Sequence, residues 1–288
     1  MLKKILILFF PIFLFSQEYL DKLFDLEFWN YNAGITLNFG DSYEDFTYME
    51  NRMDLNFFKG NFTGWLQYEY SDPPELGFPI KDLRKYRVEY ASGPWSLKFG
   101  DMYEVWGRGL VLAQLDDQGI DFDNSSRGYL INYNLKNVSV TQMSGRTKNA
   151  QLGSDLRYPE FEFTHDMDAT NIEFDVYPFN FGLSFLQSNE LHELKPFGVM
   201  DTVDINHRLH GGYISWFGSF ADIFMEYVDK QSKLRTYYTD FSGSEIESLS
   251  PLKKGSAVYL NTNLYIGVWS LFFEYKRYNF DKLSPVDS

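Results

Sequence analysis

The chain alternates polar and apolar residues in long runs. Between residues 30 and 39, the odd-numbered positions hold Tyr, Ala, Ile, Leu and Phe, and the even-numbered positions hold Asn, Asn, Gly, Thr and Asn. Strict period-two alternation predicts a β-strand with one apolar and one polar face. Strands of soluble proteins are usually about five or six residues long, whereas a tilted membrane-crossing strand needs about nine to eleven. The length of this run therefore favours a strand that crosses a membrane.

The same alternation recurs along the whole chain and predicts a protein made of strands. Several of the polar faces carry charged residues, which a barrel would point into a wet lumen and a soluble protein would point to water. Thirteen strands are predicted, at residues 30–39, 52–58, 62–70, 83–91, 94–100, 127–135, 137–144, 169–177, 180–188, 208–217, 219–228, 255–266 and 268–278.

Short and long connections alternate strictly between these strands. The short turns are residues 59–61, 92–93, 136, 178–179, 218 and 267–268, and the long polar stretches are 40–51, 71–82, 101–126, 145–168, 189–207 and 229–254. Tight periplasmic turns and long outer loops are the layout of outer-membrane barrels. Aromatic residues also gather near strand ends, as in membrane interface belts. We therefore predict an all-β, antiparallel transmembrane β-barrel, with a soluble β-protein as the alternative.

The first residues have the layout of an export signal. Lys3 and Lys4 precede an apolar run from Ile5 to Phe15, and Ser16 follows. The run is too short for a spanning helix, which needs about 20 residues, and it fits a secretory signal peptide. We expect a signal peptide at 1–16, a short periplasmic leader at 17–29 and a barrel at 30–288, located in the outer membrane of a Gram-negative bacterium.

The odd strand count needs an explanation, because bacterial single-chain barrels have even strand numbers that return both ends to the periplasm. One alternative is a fourteenth strand, for which residues 104–114 are the best candidate. The other is that this chain is the front part of a longer barrel, truncated at its C-terminus, and we favour it.

Composition narrows the expected partners. The chain has a net charge of −14, 19% aromatic residues and no cysteine. The negative charge argues against a nucleic-acid partner, since phosphate binding needs a basic surface. We expect contacts with outer-membrane lipid and lipopolysaccharide and with the barrel-assembly machinery, and no cofactor. The oligomeric state stays open.

One stretch, residues 100–128, breaks the repetitive pattern. Its sequence is GDMYEVWGRGLVLAQLDDQGIDFDNSSRG. Glycines allow tight turns and close backbone approach, and arginine and carboxylate groups match in bidentate geometry. The candidate site residues are the charged side chains Arg108, Arg127, Asp116, Asp117, Asp121 and Asp123, and the glycines Gly100, Gly107, Gly109 and Gly128.

Three interpretations of these residues remain open. The functional one is a constriction in the lumen, where Arg and Asp side chains set a transverse field for permeating solutes. The structural one is that the pairs only pin a loop inside the barrel, because buried charges must be paired. The third is a calcium site at Asp117, Asp121, Asp123 and Asn124, although the EF-hand register is absent. We predict no metal site.

The stretch also resembles a known group of proteins. Gly100-Asp101-x-Tyr103, Gly107-Arg108-Gly109-Leu110, Asp121-x-Asp123-Asn124 and Arg127-Gly128 resemble uncharacterised outer-membrane β-barrels of Gram-negative bacteria, grouped as a domain of unknown function. The resemblance implies location and fold, and it implies no activity.

No catalytic constellation is recognisable. The chain has no G-x-S-x-G, P-loop or dinucleotide motif, and its four histidines read as loop residues. We therefore predict a protein that is not an enzyme. The first hypothesis is a pore or transporter for small solutes, narrowed by residues 101–126. The second is a non-conducting structural or ligand-binding barrel that acts through its outer loops.

Overall fold

The computed structural model describes residues 30–42, 46–74, 79–117, 122–151, 161–194, 201–239 and 245–280. The predicted signal peptide and leader, and Asp121, lie outside these ranges. Within them, no helix is long and apolar enough to cross a membrane. The strands are β1 (Asn30–Ser42), β2 (Phe46–Lys59), β3 (Phe62–Ser71), β4 (Ile80–Ser92), β5 (Trp95–Met102), β6 (Asp116–Asp117), β7 (Phe122–Asp123), β8 (Ser126–Leu135), β9 (Val138–Gln151), β10 (Phe161–Val176), β11 (Phe179–Leu194), β12 (Asp201–Phe217), β13 (Ala221–Thr239), β14 (Glu245–Leu249), β15 (Lys253–Ile266) and β16 (Trp269–Phe280).

The strands form one antiparallel meander of the transmembrane β-barrel type. Its order is β1-β2-β3-β4-β5-β8-β9-β10-β11-β12-β13-β15-β16, with β14 paired to the outer part of β13. Each of these thirteen strands matches one predicted strand, which confirms the fold class. Residues 104–114 add no strand to the sheet and contain one isolated bridge, between Val105 and Ala113. Within the described residues, β1 and β16 are the two ends of the path and are not paired with each other.

Several strands are longer than predicted, because they continue beyond the apolar band. β10 begins at Phe161 rather than 169, and β13 runs on to Thr239. In these extensions the outward positions are polar, for example Asp166 and Lys233. The backbone ladder continues where the apolar alternation has stopped, so much of the predicted loop sequence is strand.

The two faces of the sheet have opposite chemistry. On β5, Trp95, Leu97 and Phe99 point outward and are 48%, 39% and 54% exposed. Inward positions on other strands are polar and buried, including Asn171 and Ser184, whose side chains hydrogen-bond to each other at 2.8 Å. An outward apolar band and a polar interior are what a lipid-embedded barrel requires. The sheet therefore surrounds a polar hollow.

Candidate functional site

Residues 103–125, here called the plug segment, connect β5 to β8 and cross the hollow inside the sheet. On one side, Lys85 Nζ of β4 lies 2.7 Å from Asp116 Oδ2 of the plug segment. On the other side, the backbone N–H of Arg108 donates to Glu226 Oε2 of β13 at 2.7 Å. In the sheet, β5, β8, β9, β10, β11 and β12 lie between β4 and β13. A segment that contacts both strands must span the interior.

The plug segment folds into a tight turn at its tip. The N–H of Trp106 donates to Leu112 O at 3.0 Å, and the N–H of Gly109 donates to Trp106 O at 2.9 Å. Gly107 has φ +59°, and a Cβ built on it would lie 2.9 Å from a carboxylate oxygen of Glu226. Any larger residue would meet both a conformational cost and a collision. The glycine thus lets the plug backbone sit directly on Glu226.

An apolar core joins the plug segment to the inner wall. Trp106, Val111 and Leu112 are 4%, 7% and 6% exposed. They pack with a ring of inward-facing apolar residues on neighbouring strands, which comprises Leu130, Met143, Met167, Ala169, Leu186, Val228 and Ala257. Burial of one large apolar side chain contributes about 1.5–3 kcal/mol. These contacts therefore supply much of the stability of the docked plug.

A buried charge cluster holds the plug segment against β4. Lys85, 2% exposed as a residue, contacts Asp116 at 2.7 Å and Asp123 at 2.8 Å. Asp123 also accepts hydrogen bonds from Tyr103 Oη at 3.1 Å and from the backbone N–H of Ser125 at 2.9 Å. Burial opposes ionisation of Asp123, but the hydrogen bonds from Lys85 and Ser125 outweigh it and hold its pKa below the usual range. Burial likewise raises the pKa of Tyr103, so its hydroxyl stays a donor.

The base of the plug segment is fixed by a second ion pair, on the outer face of the sheet. Arg127 binds Asp101 in bidentate fashion, at 2.9 and 3.0 Å, and its guanidinium lies 5.0 Å from the ring centre of Tyr86. Asp101 is 3% exposed and also accepts from the N–H of Tyr86 at 2.8 Å. At Gly100, φ is +113° and a Cβ would lie 2.1 Å from Tyr86 O, so only glycine permits this approach.

The predicted site residues therefore divide into separate groups. Arg108 lies in the hollow, with its guanidinium carbon 5.3 Å from the ring centre of Phe224. The predicted lumenal position does not hold for Arg127. Residue 127 has the same odd-numbered register as Tyr129 and Ile131, which are both exposed on the outward face. The alternation in the sequence therefore indicates that Arg127 also points outward.

The remaining candidates lie within or beside the plug segment. Asp116 and Asp123 share Lys85, while Asp117 is exposed in β6, and Gly109 shares the tip turn with Gly107. Gly128 pairs with Gly145 across β8 and β9. Asn124, considered for calcium, accepts from the N–H of Leu115 at 2.6 Å through its side-chain oxygen.

Two residues that hold the plug segment, Lys85 and Glu226, were not among the predicted site residues. Lys85 and Glu226 lie on strands far from the plug segment along the chain, and each is a single inward-facing charge in an alternating strand. Their position on the polar face of each strand indicates that they point inward, but nothing in the sequence connects them to residues 103–125. Only the folded sheet brings Lys85 and Glu226 into contact with the plug segment.

On the side of the short turns, the hollow is polar and aromatic. Tyr213 Oη donates to Glu173 Oε1 at 2.7 Å, and Tyr259 Oη donates to Glu274 Oε1 at 2.8 Å. The guanidinium of Arg108 points into this region beside Glu226. The hollow is thus lined by hydrogen-bonded carboxylates up to the plug segment, where the lining turns apolar.

Comparison with solved structures finds outer-membrane proteins at low similarity. A loop L8 deletion mutant of OmpT from Vibrio cholerae is 10% identical, with 88% of this chain and 93% of that chain covered and a TM-score of 0.42. An anion-selective porin from Comamonas acidovorans is 9% identical, with 80% and 90% covered and a TM-score of 0.33. OpdK of Pseudomonas aeruginosa, solved with vanillate, is 10% identical, with 88% and 92% covered and a TM-score of 0.30. Because the similarity is this low, the binding and transport properties of these proteins are not assigned to this chain.

Comparison with curated protein sequences finds no match. A family profile, in contrast, matches residues 1–284, almost the whole chain. The protein belongs to DUF6029, a family of unknown function whose match agrees with the resemblance seen around residues 100–128.

Proposed function

We propose that the protein is a channel of the Gram-negative outer membrane, through which small solutes pass when the plug segment leaves the hollow. The observation that carries this proposal is that the plug segment spans the interior from Lys85 on β4 to Glu226 on β13. In this position it closes a hollow that is lined by polar side chains on the side of the short turns. A barrel with a purely structural role would have no use for a polar lining on the side of the plug segment that faces the short turns.

The contacts of the plug segment also favour its release as a unit. Its base is held by the ladder between β5 and β8, where Met102 pairs with Ser126. Its tip is held by Glu226 and by the apolar core, and the Lys85 cluster holds the part of the segment nearer to its base. Loss of the tip contacts would let the segment swing about a base that stays paired.

Replacement of the plug segment tests the proposal. Because Met102 and Ser126 are directly opposite, residues 103–125 can be exchanged for a short Gly- and Asn-containing turn without disturbing the ladder. In planar bilayers, we expect the shortened variant to conduct steadily and the wild-type protein to open rarely. Equal conductance of the two proteins, with both shown to be folded by heat-modifiable migration, would refute the role of the segment as a gate.

The second candidate is a barrel that never conducts. The apolar core favours it, because Trp106 and Leu112 are almost fully buried and their exposure to water is costly. The same experiment separates the candidates. A shortened variant that conducts, beside a wild-type protein that shows no opening at all, would indicate a permanently closed barrel.

A further inference from the structure

A cavity of about 260 Å³ lies between the plug segment and the inner faces of β9–β13. It lies on the opposite side of the plug from Arg108, away from the short turns. Its apolar part is formed by Val111 and Leu112 of the plug and by Leu186 and Leu209 of the wall. Plug and wall thus build the cavity together, so it exists in this form only while the plug is docked.

The polar part of the cavity contains one carboxylate, that of Glu190. Glu190 Oε2 lies 3.0 Å from His207 Nε2, and His207 Nδ1 lies 2.7 Å from Ser232 Oγ. Both ring nitrogens of His207 are thereby engaged, one with a carboxylate and one with a hydroxyl. His165 stands 3.7 Å from the same carboxylate oxygen.

The cavity is also lined by one lysine. Lys230 lines it from β13 and interacts electrostatically with Glu190. The site therefore combines a lysine and a glutamate side chain with an apolar floor. A zwitterion can offer an opposite charge to each of these two groups, which a ligand with a single charge cannot.

We infer that this cavity binds a small zwitterion with an apolar side chain, in the chemical class of the α-amino acids. The ligand carboxylate binds Lys230, its ammonium binds Glu190, and its side chain packs on Leu186 and Leu209. The volume of about 260 Å³ suits one amino acid. Ligand sites generally combine such an apolar lining with a few convergent polar groups.

Binding in this cavity favours the closed state of the barrel. A ligand that contacts both Val111 of the plug and Lys230 of the wall binds the docked plug better than a released one. It therefore shifts the population toward the docked plug. This coupling rests on the proposed function, whereas the binding itself does not.

Calorimetry on the wild-type protein with matched ligands tests the binding. L-leucine is compared with 4-methylpentanoate, which lacks the ammonium, and with 3-methylbutylamine, which lacks the carboxylate. We expect saturable binding of L-leucine and affinities about tenfold or more lower for the two analogues, since each loses a charge-assisted contact. Analogues that bind as tightly as L-leucine, or no saturable heat with L-leucine, would overturn the assignment.

Single substitutions test whether the ligand binds in this cavity. Lys230→Met and Glu190→Gln are expected to weaken L-leucine binding about tenfold or more. Lys233→Met, which removes an exposed lysine from the same strand, should bind like wild type. Unchanged binding in Lys230→Met would place the ligand elsewhere and overturn the inference.

A conductance measurement tests the coupling separately. L-leucine should lower the open fraction of wild-type channels and leave the shortened variant unaffected. Calorimetric binding without an effect on opening would overturn the coupling alone. Failure of the proposed function would appear differently, as equal conductance of shortened and wild-type proteins whether or not ligand binds.

Discussion

Replacement of Lys85 by methionine is expected to open the barrel. Methionine keeps the length and apolar stem of the side chain but removes the ammonium that Asp116 and Asp123 share. Removal of one partner from a buried ion pair costs about 3–5 kcal/mol. The Asp116 and Asp123 side chains are 23% and 19% exposed, so water screens part of this cost and a value of about 3 kcal/mol is appropriate. Since about 1.4 kcal/mol is a factor of ten, the ratio of released to docked plug should rise by about two orders of magnitude.

Single-channel recording in planar bilayers measures this ratio as an open fraction. Lys85→Arg keeps the charge and should remain close to wild type. Lys136→Met removes one cation from the exposed turn between β8 and β9 and should change nothing. An open fraction in Lys85→Met equal to that of Lys136→Met would refute the reasoning that the charge cluster holds the plug.

Three further predictions concern the pH dependence of opening, the tip of the plug segment and the lipid face of the sheet. The pKa of Asp123 is lowered from its ordinary value of about 3.8, so its stabilisation of the docked plug is present above that value and is lost as the pH falls through the lower pKa of the docked state. Channel opening should therefore increase in acid below about pH 4, and Lys85→Met should abolish most of this dependence. Gly107→Val should raise the open fraction, because its φ of +59° costs a β-branched residue about 1–2 kcal/mol before any collision is counted. Leu97→Arg, on the lipid face, should lower the unfolding free energy in lipid by about 2–4 kcal/mol, and Ser96→Arg on the opposite face should not, as measured by urea titration.

The outward face of the sheet was predictable from the sequence, because lipid imposes an apolar requirement on every second residue. The run at residues 30–39 and its repeats identify the membrane-crossing strands one by one. The outer extensions of β10 and β13 were not predictable in this way. The outward positions are polar there, as at Asp166 and Lys233, so the apolar stripe that marks a lipid-facing strand is missing even though the backbone ladder continues.

The sequence indicates where along the chain the candidate site lies. It does not indicate which residues of the strands contact that segment. The glycine, arginine and aspartate residues of 100–128 mark the plug segment, and Arg108 lies in the hollow. Arg127 lies on the outer face, and attention to its register with Tyr129 would have shown this. The partners Lys85 and Glu226 could not be assigned from one sequence, because only the order and curvature of the sheet determine which distant strands face the segment.

A reversible covalent lock tests most directly whether the plug segment is the gate. A Cβ built on Gly211 of β12 lies 3.7 Å from the Cβ of Val111 in the plug, within the separation of about 3.5–4.5 Å found in disulfides. The chain has no cysteine of its own, so Val111→Cys with Gly211→Cys can form only the intended bond within the molecule. The oxidised double variant should show no openings in planar bilayers, and reduction with dithiothreitol should restore them in the same channels. Identical openings before and after reduction, with the disulfide confirmed by mass spectrometry, would contradict the proposal that the plug must leave the hollow for solutes to pass.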